Sequence, residues 1–363
     1  MRSTRKNERG FSLMELLVAV ALGLMVLAAT TQLFKNGMDA TILVSQSSEM
    51  QQGVRSTVNL LTKDVSMAGS GLPSGGLALP FGAGSTPTFF AVDSNRAWIA
   101  NNTYPGNFMY GIIPGAGNGL ESGGPAIIAA TGKGSDAITV VYADYAFPLN
   151  QYTLTFPAAN PNGDLITLAP PVPLPAGFPA IQSPTGIQVG DLILLSNNVG
   201  NAVGEVTGIA PTGASNTNIS FANLDPLRMN QSGAAKGNIK YIMGGGTTTA
   251  TRIWAVTYFL EVPAAATGLA PRLMRQVNGQ TPQPVADNII NLQVTYDMCD
   301  GTNGPNCSNI ANALAAPFSP TQVHKVNIQV MGQTLTPYGN KSRSTVLATS
   351  VSTRSLSFKD RYQ

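Results

Sequence analysis

Two cysteines are the first residues of this chain whose spacing points to a defined chemistry. Cys299 and Cys307 flank the Gly- and Asn-rich run DGTNGPN. A spacing this short fits a surface loop closed by one disulfide, which persists in an oxidising compartment and stabilises the fold by about 2–3 kcal/mol. The alternative is a pair of unpaired thiols.

The same loop offers oxygen atoms to a hard cation. Asp297, Asp300, Asn303 and Asn306 could serve as calcium ligands, but their spacing does not match an EF-hand. We therefore predict a solvated disulfide loop and no metal, with calcium binding as the alternative.

His324 is the only histidine, and it stands in a strand-like segment. One histidine cannot build a His-rich metal site or an HExxH helix, and the sequence contains neither a GxSxG elbow nor a GxxxxGK(S/T) phosphate loop. The Gly clusters at 115–119 and 244–246 lack the surroundings of a dinucleotide site and indicate turns. We predict no enzymatic activity, no cofactor and a structural role for His324.

Charge argues against nucleic acid as a partner. The formal net charge is +3, and the first ten residues alone supply four positive charges and one negative charge, which leaves the rest of the chain at zero. A nucleic-acid binder needs a basic cluster. A charged fraction of only 11% instead favours an extracytoplasmic, β-rich protein.

Glu15 is the only ionisable residue between Phe11 and Phe34. As a helix these 24 residues extend about 36 Å, enough to cross a hydrocarbon core of about 30 Å. The basic run MRSTRKNERG precedes them, so the positive-inside rule keeps that run in the cytoplasm. We predict a single-pass inner-membrane protein whose larger part lies in the periplasm.

The sequence GFSLMELLVAV, from Gly10 to Val20, resembles the prepilin processing motif of type IV pilins and type II secretion pseudopilins. The resemblance implies cleavage after Gly10 by a prepilin peptidase, N-methylation of Phe11, and assembly with other pilin subunits after storage in inner-membrane lipid. The alternative is signal-peptidase cleavage near Ala28 or Ala29.

A carboxylate at membrane depth costs about 2.5–3.5 kcal/mol at a helix centre and less near an end, so Glu15 needs a partner. The resemblance suggests the Phe11 α-ammonium of a neighbouring subunit, which would set the filament register. The alternative is an interfacial acid satisfied by lipid headgroups or by its own first-turn amides. Gln32 occupies the place of the kink proline of many major pilins, which favours a minor subunit.

Beyond Phe34 the predicted helix becomes amphipathic and stops at Gly69 and Gly71. Its apolar stripe comprises Leu43, Met50, Val54, Val58, Leu61, Val65 and Ala68. Its polar faces carry Gln46, Glu49, Gln51, Gln52, Arg55, Lys63 and Asp64. We expect the stripe beyond about Val54 to pack on the protein's own sheet and the upstream half to contact other subunits.

The remaining chain alternates strand patterns with turn residues. Strands are predicted at 137–145, 152–156, 189–196, 204–210, 253–262, 288–297, 323–333 and 345–356, and Arg272 and Arg275 are expected to be exposed at a strand edge. Residues 72–134 indicate long ordered loops rich in aromatic residues. The order of elements predicts an α+β fold in which the long helix, transmembrane in its first half, packs on a mainly antiparallel sheet.

The helix end from Gln51 to Gly71 also resembles PilW-type minor pilins, with Arg55, Leu60, Leu61, Asp64, Ala68 and Gly69 at the positions of that pattern. The resemblance implies a pilin-like division into a leader (1–10), a filament-core helix (11–34), its amphipathic continuation (35–70) and a β-rich head (71–363). It implies a minor pilin that reaches the cell-surface pilus and enters it at the tip. The alternatives are a type II secretion pseudopilin, or a tip adhesin whose head binds a surface ligand.

Overall fold

The structure is a computed structural model. It describes residues 11–73, 76–85, 108–115, 117, 135–213, 215–262, 270–299, 307–310, 320–334, 342–353 and 355–356. The predicted leader with Gly10, most of the predicted loops at 72–134, and Asp300, Asn303 and Asn306 lie outside these residues. The chain divides into two units, Met1–Glu49 with Thr334–Arg343 and Met50–Gln333 with Ser344–Gln363.

Helix α1, Leu13–Ser66, is the long helix that the sequence predicts. In the first unit, every residue from 11 to 38 is exposed. This is the one helix in the described part of the chain that is long and apolar enough to cross a membrane.

In the second unit, the end of α1 carries the predicted stripe. Met50, Val54, Leu61 and Val65 are buried, and their burial confirms the pattern from Met50 onward. The helix ends at Ser66 and a turn follows, in which Gly69 has a φ of +74°. This left-handed backbone favours glycine and explains why the helix stops here.

The described part of the head consists of strands of 2 to 13 residues and a small helix. The strands are β1 (Leu77–Ala78), β2 (Phe108–Met109), β3 (Ile112–Gly115), β4 (Ala137–Asp144), β5 (Thr153–Thr155), β6 (Leu165–Ala169), β7 (Leu192–Ser196), β8 (Asn201–Glu205), β9 (Gly208–Thr212), β10 (Asn216–Ser220), β11 (Thr249–Glu261), β12 (Arg272–Val277), β13 (Gln283–Asp287), β14 (Ile289–Cys299), β15 (Cys307–Ile310), β16 (Val323–Gln333) and β17 (Ser344–Ser352). Helix α2 covers Ile239–Ile242.

The described strands form four sheets, and every described strand pair is antiparallel. The central sheet has the order β13-β12-β11-β4-β3, with β7 pairing to the start of β11 and to β8. The C-terminal sheet has the order β15-β14-β16-β17, and the middle sheet has the order β5-β6-β10-β9. Strands β1 and β2 pair alone. The predicted α+β class with a mainly antiparallel head is confirmed.

The predicted strand at 204–210 is wrong, because two strands from two sheets occupy it. Strand β8 ends at Glu205 in the central sheet, and β9 begins at Gly208 in the middle sheet. Between them the amide of Val206 donates to the Asp191 carbonyl, and the amide of Thr207 donates to the Ser220 carbonyl. The chain therefore changes sheets inside the segment for which the sequence predicts one strand.

The main core lies where α1 packs on the head. Leu61 and Val65 of the helix join Tyr258 of β11, Val294 of β14 and Ile328 of β16 in one buried cluster. A second cluster fills the other face of the central sheet, and a third joins β7 and β8 to the middle sheet. The C-terminal end of α1 thus buries its apolar side chains against two sheets at once, which holds this part of the helix on the head.

Candidate functional site

The N-terminus of α1 carries two of the sequence-predicted site residues. The Ser12 hydroxyl accepts a hydrogen bond from the Glu15 amide at 3.2 Å, and the Glu15 carboxylate accepts from the Ser12 amide at 3.2 Å. This reciprocal arrangement is a capping box, which satisfies two of the amides that a helix start leaves without partners. Phe11, which precedes the box, is 86% exposed.

Glu15 therefore has a local partner within its own chain, as the interfacial-acid alternative expects. Its carboxylate is nevertheless exposed and accessible to a second group. Pairing with the Phe11 α-ammonium of a neighbouring subunit stays a prediction, as do cleavage after Gly10 and methylation of Phe11.

The apolar side chains that follow are exposed without interruption. Leu24 is 62% exposed, Leu27 is 64% and Phe34 is 75%. An exposed apolar surface of this length is unfavourable in water and marks a contact with lipid or with other proteins.

A second constellation lies at the other end of α1, around Asp64. The Tyr258 hydroxyl donates to Asp64 Oδ2 at 2.5 Å, and Arg275 Nε donates to the same oxygen at 3.1 Å. The Tyr142 hydroxyl donates to Asp64 Oδ1 at 3.4 Å. The Asp64 side chain is only 4% exposed. One carboxylate of the helix thus joins strands β4, β11 and β12 of the central sheet.

The electrostatics of this cluster favour a fixed ion pair. Burial and the negative charge of Asp64 raise the pKa of Tyr142 to about 12. The same two causes raise the pKa of Tyr258. Burial lowers the pKa of Arg275, but its interactions with Asp64 and Tyr258 together outweigh burial and the net shift is upward. Both tyrosines stay protonated and Arg275 stays charged at neutral pH, so these three groups keep their hydrogen bonds to Asp64 and anchor the helix.

Three expectations for these residues are wrong. Asp64 does not lie on the polar side of the helix, because it follows Leu61 by three residues and shares its face. Arg275 is half-buried against Asp64, and Arg272 is half-buried in an ion pair with Glu261. The spacing from Leu61 could have placed Asp64 inside, whereas no local signal identifies its strand partners.

Two further acids lie buried without any sequence signal. Glu205 and Asp225 are 3% and 2% exposed, and each accepts backbone amides, that of Leu227 for Glu205 and those of Met229 and Asn230 for Asp225. Burial and the neighbouring Asp225 raise the pKa of Glu205 to about 8, and burial raises the pKa of Asp225. Since the acids also hydrogen-bond each other, we assign the proton to Glu205 and the negative charge to Asp225 at neutral pH.

The predicted cysteine pair is joined in the structure. Cys299 of β14 and Cys307 of β15 form a disulfide with a Cα–Cα distance of 4.3 Å. Asp297, one of the predicted cation ligands, instead accepts hydrogen bonds from Asn309 at 2.6 Å and Asn327 at 2.9 Å. In the described part of the chain no group of three metal-ligating side chains occurs. His324 is half-buried in β16, and its backbone carbonyl accepts from the Thr353 amide.

One comparison with known proteins bears on the N-terminal site. Residues 5–31 match the family model described as "Prokaryotic N-terminal methylation motif". Neither a curated protein nor a solved structure matches the chain. The matched segment contains Gly10, Phe11 and Glu15, so the chain carries a type IV prepilin-like N-terminus.

The fold agrees with that motif. A long N-terminal apolar helix followed by a mainly antiparallel head is consistent with a type IV pilin-like α+β fold. The motif belongs to structural subunits, implies processing by prepilin peptidase and association with other pilins, and is compatible with a membrane-anchored pilin or pseudopilin-like subunit. It covers 27 residues and does not extend to the head.

Proposed function

We propose that this chain is a PilW-type minor pilin that takes part in the assembly of a type IV pilus. Prepilin peptidase cleaves after Gly10, Phe11 becomes the methylated N-terminus, and the subunit waits in the inner membrane with its head in the periplasm. It then enters the filament at the cell surface and occupies a place at or near the tip.

The observation that carries the proposal is the coincidence of two features in one segment. The methylation motif covers residues 5–31, and the described part of that segment has its apolar side chains exposed. A signal sequence that only directs export does not need an acid such as Glu15 in its apolar helix. A helix that packs among copies of itself does need one if that acid pairs with the N-terminus of a neighbouring subunit.

The Asp64 cluster supports the more specific assignment. Asp64 is one of the positions at which the helix end resembles PilW-type proteins, and it ties the helix to the central sheet through Tyr258 and Arg275. A subunit whose helix is pulled from the membrane into a filament must transmit that force to its head. A buried ion pair at the helix end provides such an attachment.

The first test is mass spectrometry of the N-terminus of the membrane-extracted chain, from cells with and without prepilin peptidase. The expected result is a chain beginning at N-methylated Phe11 only when the peptidase is present. An intact leader in both strains, or cleavage near Ala28, would overturn the proposal and leave an anchored or secreted binding protein.

A type II secretion pseudopilin would share that N-terminus, so a second measurement separates the two filaments. Sheared pili are purified from the native host and digested, and the peptides of the head are quantified against the major subunit. A minor pilin gives a low but constant ratio in the pili, while a pseudopilin is missing from them and its deletion blocks secretion.

A further inference from the structure

A cavity of about 540 Å³ opens in the head, on the face of the central sheet that α1 covers elsewhere. Asp144 lies two residues beyond Tyr142 on β4, and Arg252 and Trp254 share a face of β11 with Tyr258, because alternate residues of a strand point the same way. Tyr142 and Tyr258 contact Asp64 at the helix end. The cavity therefore begins where the helix stops covering the sheet.

The charged groups that line this cavity are paired with one another. Arg252 donates from Nε to Asp144 Oδ2 at 2.7 Å and from NH1 to the Gly186 carbonyl at 2.7 Å, and it lies 3.7 Å from Asp191. Asp191 accepts from the Gln188 amide at 3.0 Å and from the Gln280 side chain at 3.3 Å. Each charged side chain of the wall therefore already has a partner within the protein.

The Arg252 guanidinium lies beside two aromatic rings, and the half-buried Trp254 ring also lines the cavity. The Arg252 guanidinium lies 4.8 Å from the Trp254 ring centre and 5.5 Å from that of Phe147. A second cation would meet the arginine, and an anion would meet Asp144 and Asp191. The chemistry that remains consists of amide and hydroxyl groups, from side chains such as Gln188 and Gln280, beside a half-buried indole.

From this lining we infer that the cavity is a binding site for a neutral saccharide of one or two rings. Such a ligand has an apolar C–H face that packs against the indole of Trp254 and a rim of hydroxyls that hydrogen-bond to Gln188 and Gln280. The volume lies within the range of about 300–1,000 Å³ that small-molecule sites occupy, and sparse, precisely placed polar groups on an aromatic wall are typical of them. The inference concerns the head alone and does not depend on the filament role.

The test uses the fluorescence of Trp254 in the full mature chain. The sequence has two tryptophans, Trp98 and Trp254, so a Trp98→Phe variant leaves Trp254 as the only reporter. The protein is kept in a zwitterionic detergent without a sugar headgroup, because a glycoside detergent would compete. It is titrated with neutral hexoses, N-acetylhexosamines and their disaccharides, and with glucosamine and sialic acid as charged probes.

The expected result is a saturable change in Trp254 emission with at least one neutral saccharide, and at least tenfold weaker binding of both charged probes. Gln188→Ala should weaken the binding about fivefold, the value of one hydrogen bond of about 1 kcal/mol. Gln283→Ala is the matched control, because both glutamines are exposed and each donates to a nearby backbone carbonyl at 3.4 Å. It should leave the affinity unchanged.

The inference is overturned if no neutral saccharide gives saturation up to about 100 mM, a hundredfold above a weak millimolar Kd. Equal binding of the charged probes, or an affinity that Gln188→Ala does not change, overturns it as well. Saturation-transfer NMR on the chain with both tryptophans measures the same affinities without the Trp98→Phe substitution, and thermal unfolding of each variant verifies that the head is folded.

Discussion

The two halves of helix α1 differ in the exposure of their apolar side chains. In the first half, Leu27 is 64% exposed and every residue from 11 to 38 is accessible, whereas in the second half Leu61 and Val65 are fully buried against strands of the head. One continuous helix thus has two kinds of partner. The second half has its partner within the chain, and the first half requires lipid or other subunits, as the methylation motif at residues 5–31 indicates.

The acids of the helix repeat this contrast. Glu15 is exposed and caps its own helix start, whereas Asp64 is buried and bonded to Tyr258 and Arg275. Substitutions in the two halves of α1 should therefore have different effects. Those in the second half should change the stability of the head, whereas those in the first half should change only assembly.

The largest loss should follow Asp64→Ala. The substitution leaves the half-buried Arg275 without its carboxylate and the Tyr258 hydroxyl without its acceptor, and breaking a buried pair costs about 3–5 kcal/mol. Asp64→Asn keeps an acceptor and should cost less. Urea unfolding of the full chain in detergent, followed by tryptophan fluorescence, measures both.

Glu49→Ala is the matched control for Asp64→Ala, because Glu49 is an exposed acid of the same helix. It should change the unfolding free energy by no more than about 0.5 kcal/mol. Equal effects of Glu49→Ala and Asp64→Ala would show that the buried cluster does not anchor the helix.

A matched pair of leucines tests the contrast without charge. Leu61→Ala removes a fully buried side chain and should cost about 2–5 kcal/mol, the usual range for a leucine cavity in a core. Leu27→Ala removes a side chain that is 64% exposed and should leave head unfolding unchanged. The same urea titration measures the two variants, and a comparable loss in both would contradict the division of the helix.

The sequence predicts the buried apolar residues in the second half of α1, but it does not predict the polar contacts of that half. Periodicity predicts the buried positions from Met50 to Val65, since one helix turn brings them to one face. Asp64 follows Leu61 by three residues and therefore lies on the same face. A charged residue is nevertheless predicted to be exposed unless its buried partners are known. Those partners, on β4, β11 and β12, are 78 or more residues away in the chain.

The same limit explains the misplaced strand at 204–210. Local alternation gives strand patterns for β8 and β9 alike, whereas the change of sheet between them depends on Asp191 and Ser220, which belong to other segments. The cavity around Arg252 is of the same kind, because it needs side chains from β4, β11 and three loops. By contrast, the cysteine loop is predictable because both partners are close in sequence.

Removal of the disulfide should have the next largest effect. A Cys299→Ser, Cys307→Ser double variant loses the cross-link of a short loop and should be less stable by about 2–3 kcal/mol through the entropy of the unfolded chain. Reduction of the wild-type chain with dithiothreitol should lower the free energy of unfolding by the same amount, and the urea midpoint should fall accordingly. An unchanged midpoint in both experiments would mean that the unfolded chain gains nothing from the cross-link.

Glu205 should make the stability of the head depend on pH. Its pKa is about 8 in the folded state and near 4.5 when unfolded, so the folded state binds more protons between these values. The stabilisation that protonated Glu205 contributes is present at low pH and is lost as the pH rises through 8. The linkage predicts a loss of about 2 kcal/mol between pH 6 and pH 8.

Glu205→Gln mimics the protonated acid and keeps a donor toward Asp225. The variant should therefore lack most of this loss and should exceed the wild type in stability at pH 8. Urea titrations at pH 6, 7 and 8 on both chains measure the slope. Parallel slopes would show that Glu205 is ionised throughout this range.

Glu15→Gln should leave the unfolding of the head unchanged and still separate two roles of Glu15. Glutamine at this position preserves the capping box with Ser12, because its side-chain oxygen can accept from the Ser12 amide, but it removes the negative charge. If the charge pairs with the Phe11 α-ammonium of a neighbour, the variant is cleaved and methylated normally yet is depleted from sheared pili. Prepilin cleavage and the stability of the head serve as internal controls for this variant. If the pili contain the variant at wild-type levels, Glu15 acts in helix capping alone.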